Sequence, residues 1–225
     1  MIIVTGGSSG LGKAITADLR ERGEKVATIS RREDPEDKDH ISCDITNYQS
    51  LKDAYHYLGK SEHRVSALIN CAGIASMNLA ITTPPSATEK VIKTNLIGTI
   101  FVNQVFAPLL IKNTGGRIIN FSTIAVHISL KGESIYVASK AGVEGFSRVF
   151  AKELAPFKIT VNCIAPGPIK TNLLKGVSDE QIKKIVDRQT INQTMKPSAI
   201  TEIVSLLLRE ESRNITGEVI NVGGV

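Results

Sequence analysis

The chain has 225 residues, 42% hydrophobic and 22% charged, an ordinary globular composition that excludes extended disorder. No uninterrupted apolar run nears the roughly 20 residues of a membrane-spanning helix, and Cys43, Cys71 and Cys163 are too scattered for a disulfide framework or a zinc site. The net charge of +5 contains no basic run longer than Arg31-Arg32, and only 4 Tyr and 6 Phe are available for base stacking, so a solvated mixed-charge surface is expected, with neither nucleic acid nor membrane as partner.

Apolar runs alternate with amphipathic stretches along the chain. The start, Met1-Ile2-Ile3-Val4-Thr5-Gly6, reads as a strand entering a glycine turn, with no basic leader, and a reducing cytoplasm is the expected location. Strands are predicted at 2–5, 25–30, 40–43, 65–70, 117–122, 158–163 and 217–221, and helices at 10–22, 48–59, 86–111, 135–155 and 198–209. This alternation predicts right-handed βαβ crossovers and an α/β fold: one doubly wound parallel sheet of seven strands with helices on both faces, forming a single domain over 1–225. Two segments depart from it. Residues 31–40 are polar and too short for a crossover helix, so a surface loop is expected there. Residues 171–196 are a polar, helix-capable insertion beyond a strand's carboxyl end, where ligands bind in such sheets, and 172–195 are expected to serve as a short substrate loop.

The first strand runs into Thr5-Gly6-Gly7-Ser8-Ser9-Gly10-Leu11-Gly12 and then a helix. Glycines let backbone approach a pyrophosphate, and the helix start presents free N–H groups and a positive dipole end. The TGxxxGxG spacing resembles the short-chain dehydrogenase/reductase family, and the likeness recurs in order. It continues in Asn70-Cys71-Ala72-Gly73, in Asn95, in Tyr136-Val137-Ala138-Ser139-Lys140 and in Pro166-Gly167-Pro168-Ile169-Lys170-Thr171. The last segment, Gly217-Glu218-Val219-Ile220-Asn221-Val222-Gly223-Gly224-Val225, echoes the family's final strand without the usual Asp before the paired glycines. Segments 116–120 and 159–167 are most similar to the 3-oxoacyl-[acyl-carrier-protein] reductases.

The resemblance implies a Rossmann fold and an NAD(P)-dependent oxidoreductase. It assigns cofactor binding to Thr5, Gly6, Ser8, Ser9, Gly10, Leu11 and Gly12, adenine contacts to Asp44 and Ile45, the next turn to Asn70, Ala72 and Gly73, and closure on nicotinamide to Pro166, Gly167, Ile169 and Thr171. Tyr136 and Lys140, four apart, project from one helix face, where an ammonium favours the phenolate. By resemblance Tyr136 exchanges the proton, Lys140 also binds the ribose, and Asn95 anchors a relay water through its backbone carbonyl. The carbonyl-polarising hydroxyl, usually a Ser thirteen positions before the Tyr, is Thr123 here, with Ser122 in reserve. Thr offers the same hydroxyl, but its methyl crowds the pocket.

The acidic residue that takes both ribose hydroxyls in NAD enzymes is absent: Ser30 stands at that position, followed by Arg31 and Arg32, which suit the 2′-phosphate. NADP(H) is therefore expected over NAD(H). The expected substrate is a small ketone or a 3-oxoacyl thioester, which Lys175, Lys183, Lys184 and Arg188 could meet on an acidic carrier, unless they form one solvated helix face. An alcohol or sugar dehydrogenase and a weakly catalytic NADP-binding sensor are the alternatives. An extended-family epimerase is disfavoured, because no substrate domain follows the last strand. Family members commonly pack as dimers or tetramers, so a homodimer or homotetramer is implied.

Overall fold

Seven runs rich in Ile, Val and Ala pair in parallel, in a computed structural model that describes residues 1–75, 77–169 and 178–225. The strands are β1 (Ile2–Thr5), β2 (Val26–Ser30), β3 (His40–Ser42), β4 (Ala67–Asn70), β5 (Gly116–Phe121), β6 (Ile159–Pro166) and β7 (Val219–Val222), in the order β3-β2-β1-β4-β5-β6-β7. The doubly wound seven-stranded sheet is as expected. Strands covered on both faces read as continuous apolar runs, not alternating ones, and all four residues of β1 are buried.

Successive side chains nonetheless go to opposite faces. Ile3, Ile29, Leu68 and Ile118 pack with Leu51 and Leu58 of α2 (Tyr48–Gly59), Phe106 and Leu110 of α4 (Gly98–Lys112) and Leu154 of α6 (Ser134–Leu154). Val4, Ile69, Ile119 and Ile164 turn the other way, against Ile15 and Leu19 of α1 (Gly10–Glu21) and Ile200 and Val204 of α8 (Pro197–Leu208). The winding reverses between β1 and β4, and the cleft opens at the carboxyl ends of the strands there.

The helix expected over 86–111 is three pieces: α3 (Pro85–Ile92), a π-helical turn (Lys93–Ile97) in which Gly98 N–H donates to the Lys93 carbonyl, and α4, which continues through the exposed Pro108. Together Pro85–Lys112 make 28 helical residues apolar enough to cross a membrane by length and composition, which corrects the expectation that nothing in the chain approaches that length; 56% of the most apolar window is buried inside this protein. A short α5 (Ala125–Ile128), which the sequence did not suggest, follows β5. The 31–40 loop is pinned, with Arg20 paired to Asp37 at 2.7 Å and the Thr28 hydroxyl donating to the same carboxylate at 2.7 Å. Within the insertion, α7 (Asp179–Val186) starts at a Ser178–Gln181 capping box. Thr171 and Lys175 lie outside the described residues.

Candidate active site

The chain leaves β1 through Gly6, whose φ of +70° suits glycine, and re-enters helix at Gly10. A Cβ on Gly12 would lie 2.3 Å from the Gly6 carbonyl oxygen, so only glycine lets α1 close on its own turn. Ser9 holds the N-cap position with extended backbone and no side-chain cap bond, so its hydroxyl satisfies none of the first-turn N–H groups of α1. Gly6, Ser8, Ser9, Gly10, Leu11 and Gly12 all line one cleft of about 890 Å³.

At one end of this cleft stand Ser30, Arg31 and Arg32, with Asp44 and Ile45 beside them. The Ser30 hydroxyl donates to the Arg32 carbonyl at 2.9 Å, and neither guanidinium has an ion-pair partner among the described residues. Glu33 and Asp34 line the same end, which the sequence reading missed. Asp44 accepts from the Thr46 N–H and hydroxyl, both at 2.9 Å, while Asn47 caps α2. Ala72, Gly73, Pro166, Gly167 and Ile169 form the middle of the cleft wall.

Tyr136 and Lys140 rise into the cleft from one face of α6, both buried. The Lys140 ammonium donates to the Phe121 carbonyl at 2.8 Å, and its loss of water lowers its pKa to about 8. Burial is the main cause that pushes the Tyr136 phenol above its ordinary value, and Glu133 adds to it, while a hydrogen bond with the Thr123 side chain pulls it down. Ser122 and Thr123 part ways as neighbours off a strand end do: the Ser122 hydroxyl donates to buried Glu144 at 2.6 Å, whereas Thr123 faces the phenol and accepts from the Ala125 N–H at 3.2 Å.

Thr5, Asn70 and Asn95 do not line the cleft; they hold its walls from behind. The Thr5 hydroxyl accepts from the Ala72 N–H at 3.3 Å. Asn70 donates to Asn120 at 2.7 Å, and Asn120 donates to Ser147 of α6 at 2.8 Å, which ties β4 and β5 to the helix carrying Tyr136. Asn95, fully buried in the π turn, clamps Ile74 from both sides: its Oδ1 accepts from the Ile74 N–H at 2.8 Å and its Nδ2 donates to the Ile74 carbonyl at 2.9 Å and to Ser139 at 3.1 Å. Its backbone carbonyl accepts from the Thr99 hydroxyl at 2.7 Å. A π turn leaves no mark on apolar periodicity, so this role was not legible beforehand.

The sequence reading also missed the wall beyond Tyr136, made by Ala75, Met77, Ile124, Ala125, Leu130, Glu133 and Ile185. Burial raises the Glu133 carboxyl to about 7. The arrangement suits a dinucleotide: a glycine cradle that a Cβ would fill, a helix start above it, and at the far end a phenol, a hydroxyl and a desolvated ammonium.

Known proteins are similar to this chain in sequence and in fold. The family model described as enoyl-(acyl carrier protein) reductase matches residues 6–224. Carbonyl reductase family member 4 of Xenopus tropicalis is 35% identical over 229 residues, covering 98% of this chain and 95% of its own. The 3-oxoacyl-[acyl-carrier-protein] reductase of Homo sapiens is 33% identical over 230 residues, with the same coverage. Among solved structures, ligand-free aldohexose dehydrogenase of Thermoplasma acidophilum superposes with a TM-score of 0.89 at 30% identity, over 99% of this chain and 92% of that one. A structure of ElxO with NADP bound gives 0.90 at 26%, over 98% and 96%. A family model spanning nearly the whole chain, on a seven-stranded Rossmann sheet, leaves one conclusion: the chain is an oxidoreductase and belongs to the short-chain dehydrogenase/reductase family.

Proposed function

We propose that this protein is an NADPH-dependent reductase that turns a carbonyl, on a small ketone or a 3-oxoacyl thioester, into a hydroxyl. The observation that carries the reading is the convergence of Tyr136, Thr123 and Lys140 on the cleft that the glycine turn opens. The nicotinamide, when bound, supplies the hydride. Thr123 donates to the carbonyl oxygen and holds it beside the phenol. Tyr136 gives that oxygen its proton, and burial keeps the phenol protonated until then. Lys140, cationic at neutral pH, steadies the phenolate left behind and is placed to meet ribose hydroxyls. Asn95 acts as a positioning residue through its grip on Ile74. Arg31 and Arg32, with Ser30 where an acid would repel phosphate, favour NADPH, while Glu33 and Asp34 at the same end act against it. ElxO, whose structure holds NADP, is consistent with this choice.

The test follows NADPH and NADH oxidation by the purified protein over a ketone panel that includes an acetoacetyl thioester, with Tyr136→Phe as control. NADPH-selective turnover, lowered at least 100-fold in the control while NADPH still binds, is the expected result. Turnover unaffected by the substitution, or none with any ketone, overturns it. Likeness to an aldohexose dehydrogenase supports a second reading, oxidation of a sugar on the same machinery, which the same assay with NADP+ and aldohexoses decides.

A further inference from the structure

Among the described residues, Glu133 is the one acidic side chain that lines the cleft away from the ends of β2 and β3. It sits at the N-cap of α6, one turn before Tyr136, yet its carboxyl makes no cap bond to the helix. Nor has it an ion-pair or hydrogen-bond partner among the described residues. The same cleft is lined by the hydrocarbon and thioether side chains of Met77, Ile124, Ala125, Leu130 and Ile185, and the Tyr136 phenol is near enough to feel the Glu133 charge. A half-buried carboxyl that does nothing for its own helix is costly to keep there without a partner.

We propose that Glu133 is a specificity-determining residue whose carboxylate pairs with a protonated amine on the substrate, so that this enzyme prefers an amino ketone with an otherwise apolar body. The inference rests on the reductase reading and narrows its small-ketone arm. A single acid on an apolar wall suits one cation carried on hydrocarbon. A polyol needs several polar partners, a neutral acyl chain leaves the carboxylate unpaired, and a substrate carboxylate meets like charge. The raised carboxyl is in keeping with a group that awaits a cation.

Three isosteric ketones test this: 4-dimethylaminocyclohexanone, 4-isopropylcyclohexanone and 4-oxocyclohexanecarboxylate, each assayed with NADPH at pH 8. In the wild type kcat/KM is expected to be about 10- to 100-fold higher for the ammonium ketone than for its isopropyl isostere, the scale of one charge-assisted hydrogen bond. The carboxylate is expected to be the poorest of the three. In Glu133→Gln the ammonium-to-isopropyl ratio falls toward one, through KM, and Glu133→Asp restores part of it. The ranking in the wild type needs no variant, so a misfolded mutant leaves the proposal testable. Ammonium and isopropyl ketones within threefold of each other in the wild type, or a ratio unmoved in Glu133→Gln, overturn it. If no ketone turns over, the reductase reading fails on its own. Saturation-transfer NMR binding of the same trio to wild type and Glu133→Gln then decides for Glu133, where equal binding of ammonium and isopropyl ketones overturns the proposal.

Discussion

The two hydroxyls at the site differ by a single position, and the strand end sends them to different work. Ser122 is held by Glu144, while Thr123 reaches the phenol. Thr123→Ala is therefore expected to lower kcat/KM about 100-fold, the scale of one lost electrostatic donor. Thr123→Ser is expected to keep activity and to improve it most for bulkier ketones, since it removes only the methyl; steady-state kinetics on cyclohexanone against a 2-substituted analogue checks both. Buried Lys140 and half-buried Glu133 also give stability a pH signature, with opposite signs. Glu133 is raised from 4.5 to about 7, so its contribution is fully present below about 4.5 and is lost as pH climbs through about 7. Lys140 is lowered from 10.5 to about 8, so the unfolded chain binds more protons in between and stability rises over that window. The Tm difference between wild type and Glu133→Gln should become less favourable to wild type from pH 4.5 to 7 and then level off. A flat difference overturns this account.

At the scale of elements, the cradle depends on how closely α1 can approach the turn that feeds it. Gly12→Ala would drive a Cβ to 2.3 Å from the Gly6 carbonyl, a backbone atom with no flexible end to swing away. The turn must open, and NADPH affinity is expected to fall at least 100-fold, measured by quenching of cofactor fluorescence, with a Tm drop of several degrees. On the other wall, α6 delivers Tyr136 and Lys140 because its buried face is keyed to the sheet by Ser147 and Asn120 and to the π turn by Ser139 and Asn95. The i,i+4 spacing already placed the phenol and the ammonium on one face. It said nothing of these anchors, whose partners lie 27 and 44 positions away in sequence.

At the scale of the molecule, one sheet with a separate core on each face carries the cleft at its carboxyl edge. The helices that frame Tyr136 and Asn95, with the 3-10 turn that follows α6, keep apolar side chains outside both cores: Val149 is 57% exposed, Phe157 44% and Ile97 37%. If the chain packs as a homo-oligomer through this helix, as the family likeness implies, Val149→Glu lowers the mass seen by light scattering to that of the monomer. An unchanged mass removes this face from the interface.

The alternation of strands and main helices, the glycine turn and the Tyr136–Lys140 pair were legible in the sequence, because each is written in local periodicity or in spacing within one element; the break of 86–111 at the π turn and the short α5 were not. That Thr123 and not Ser122 faces the phenol, that Thr5, Asn70 and Asn95 sit behind the wall, and that Glu133 lines the cleft emerged from the folded chain alone. Those facts depend on side chains from distant parts of the chain meeting across packed layers, and apolar periodicity records which face of an element is buried without recording what it is buried against.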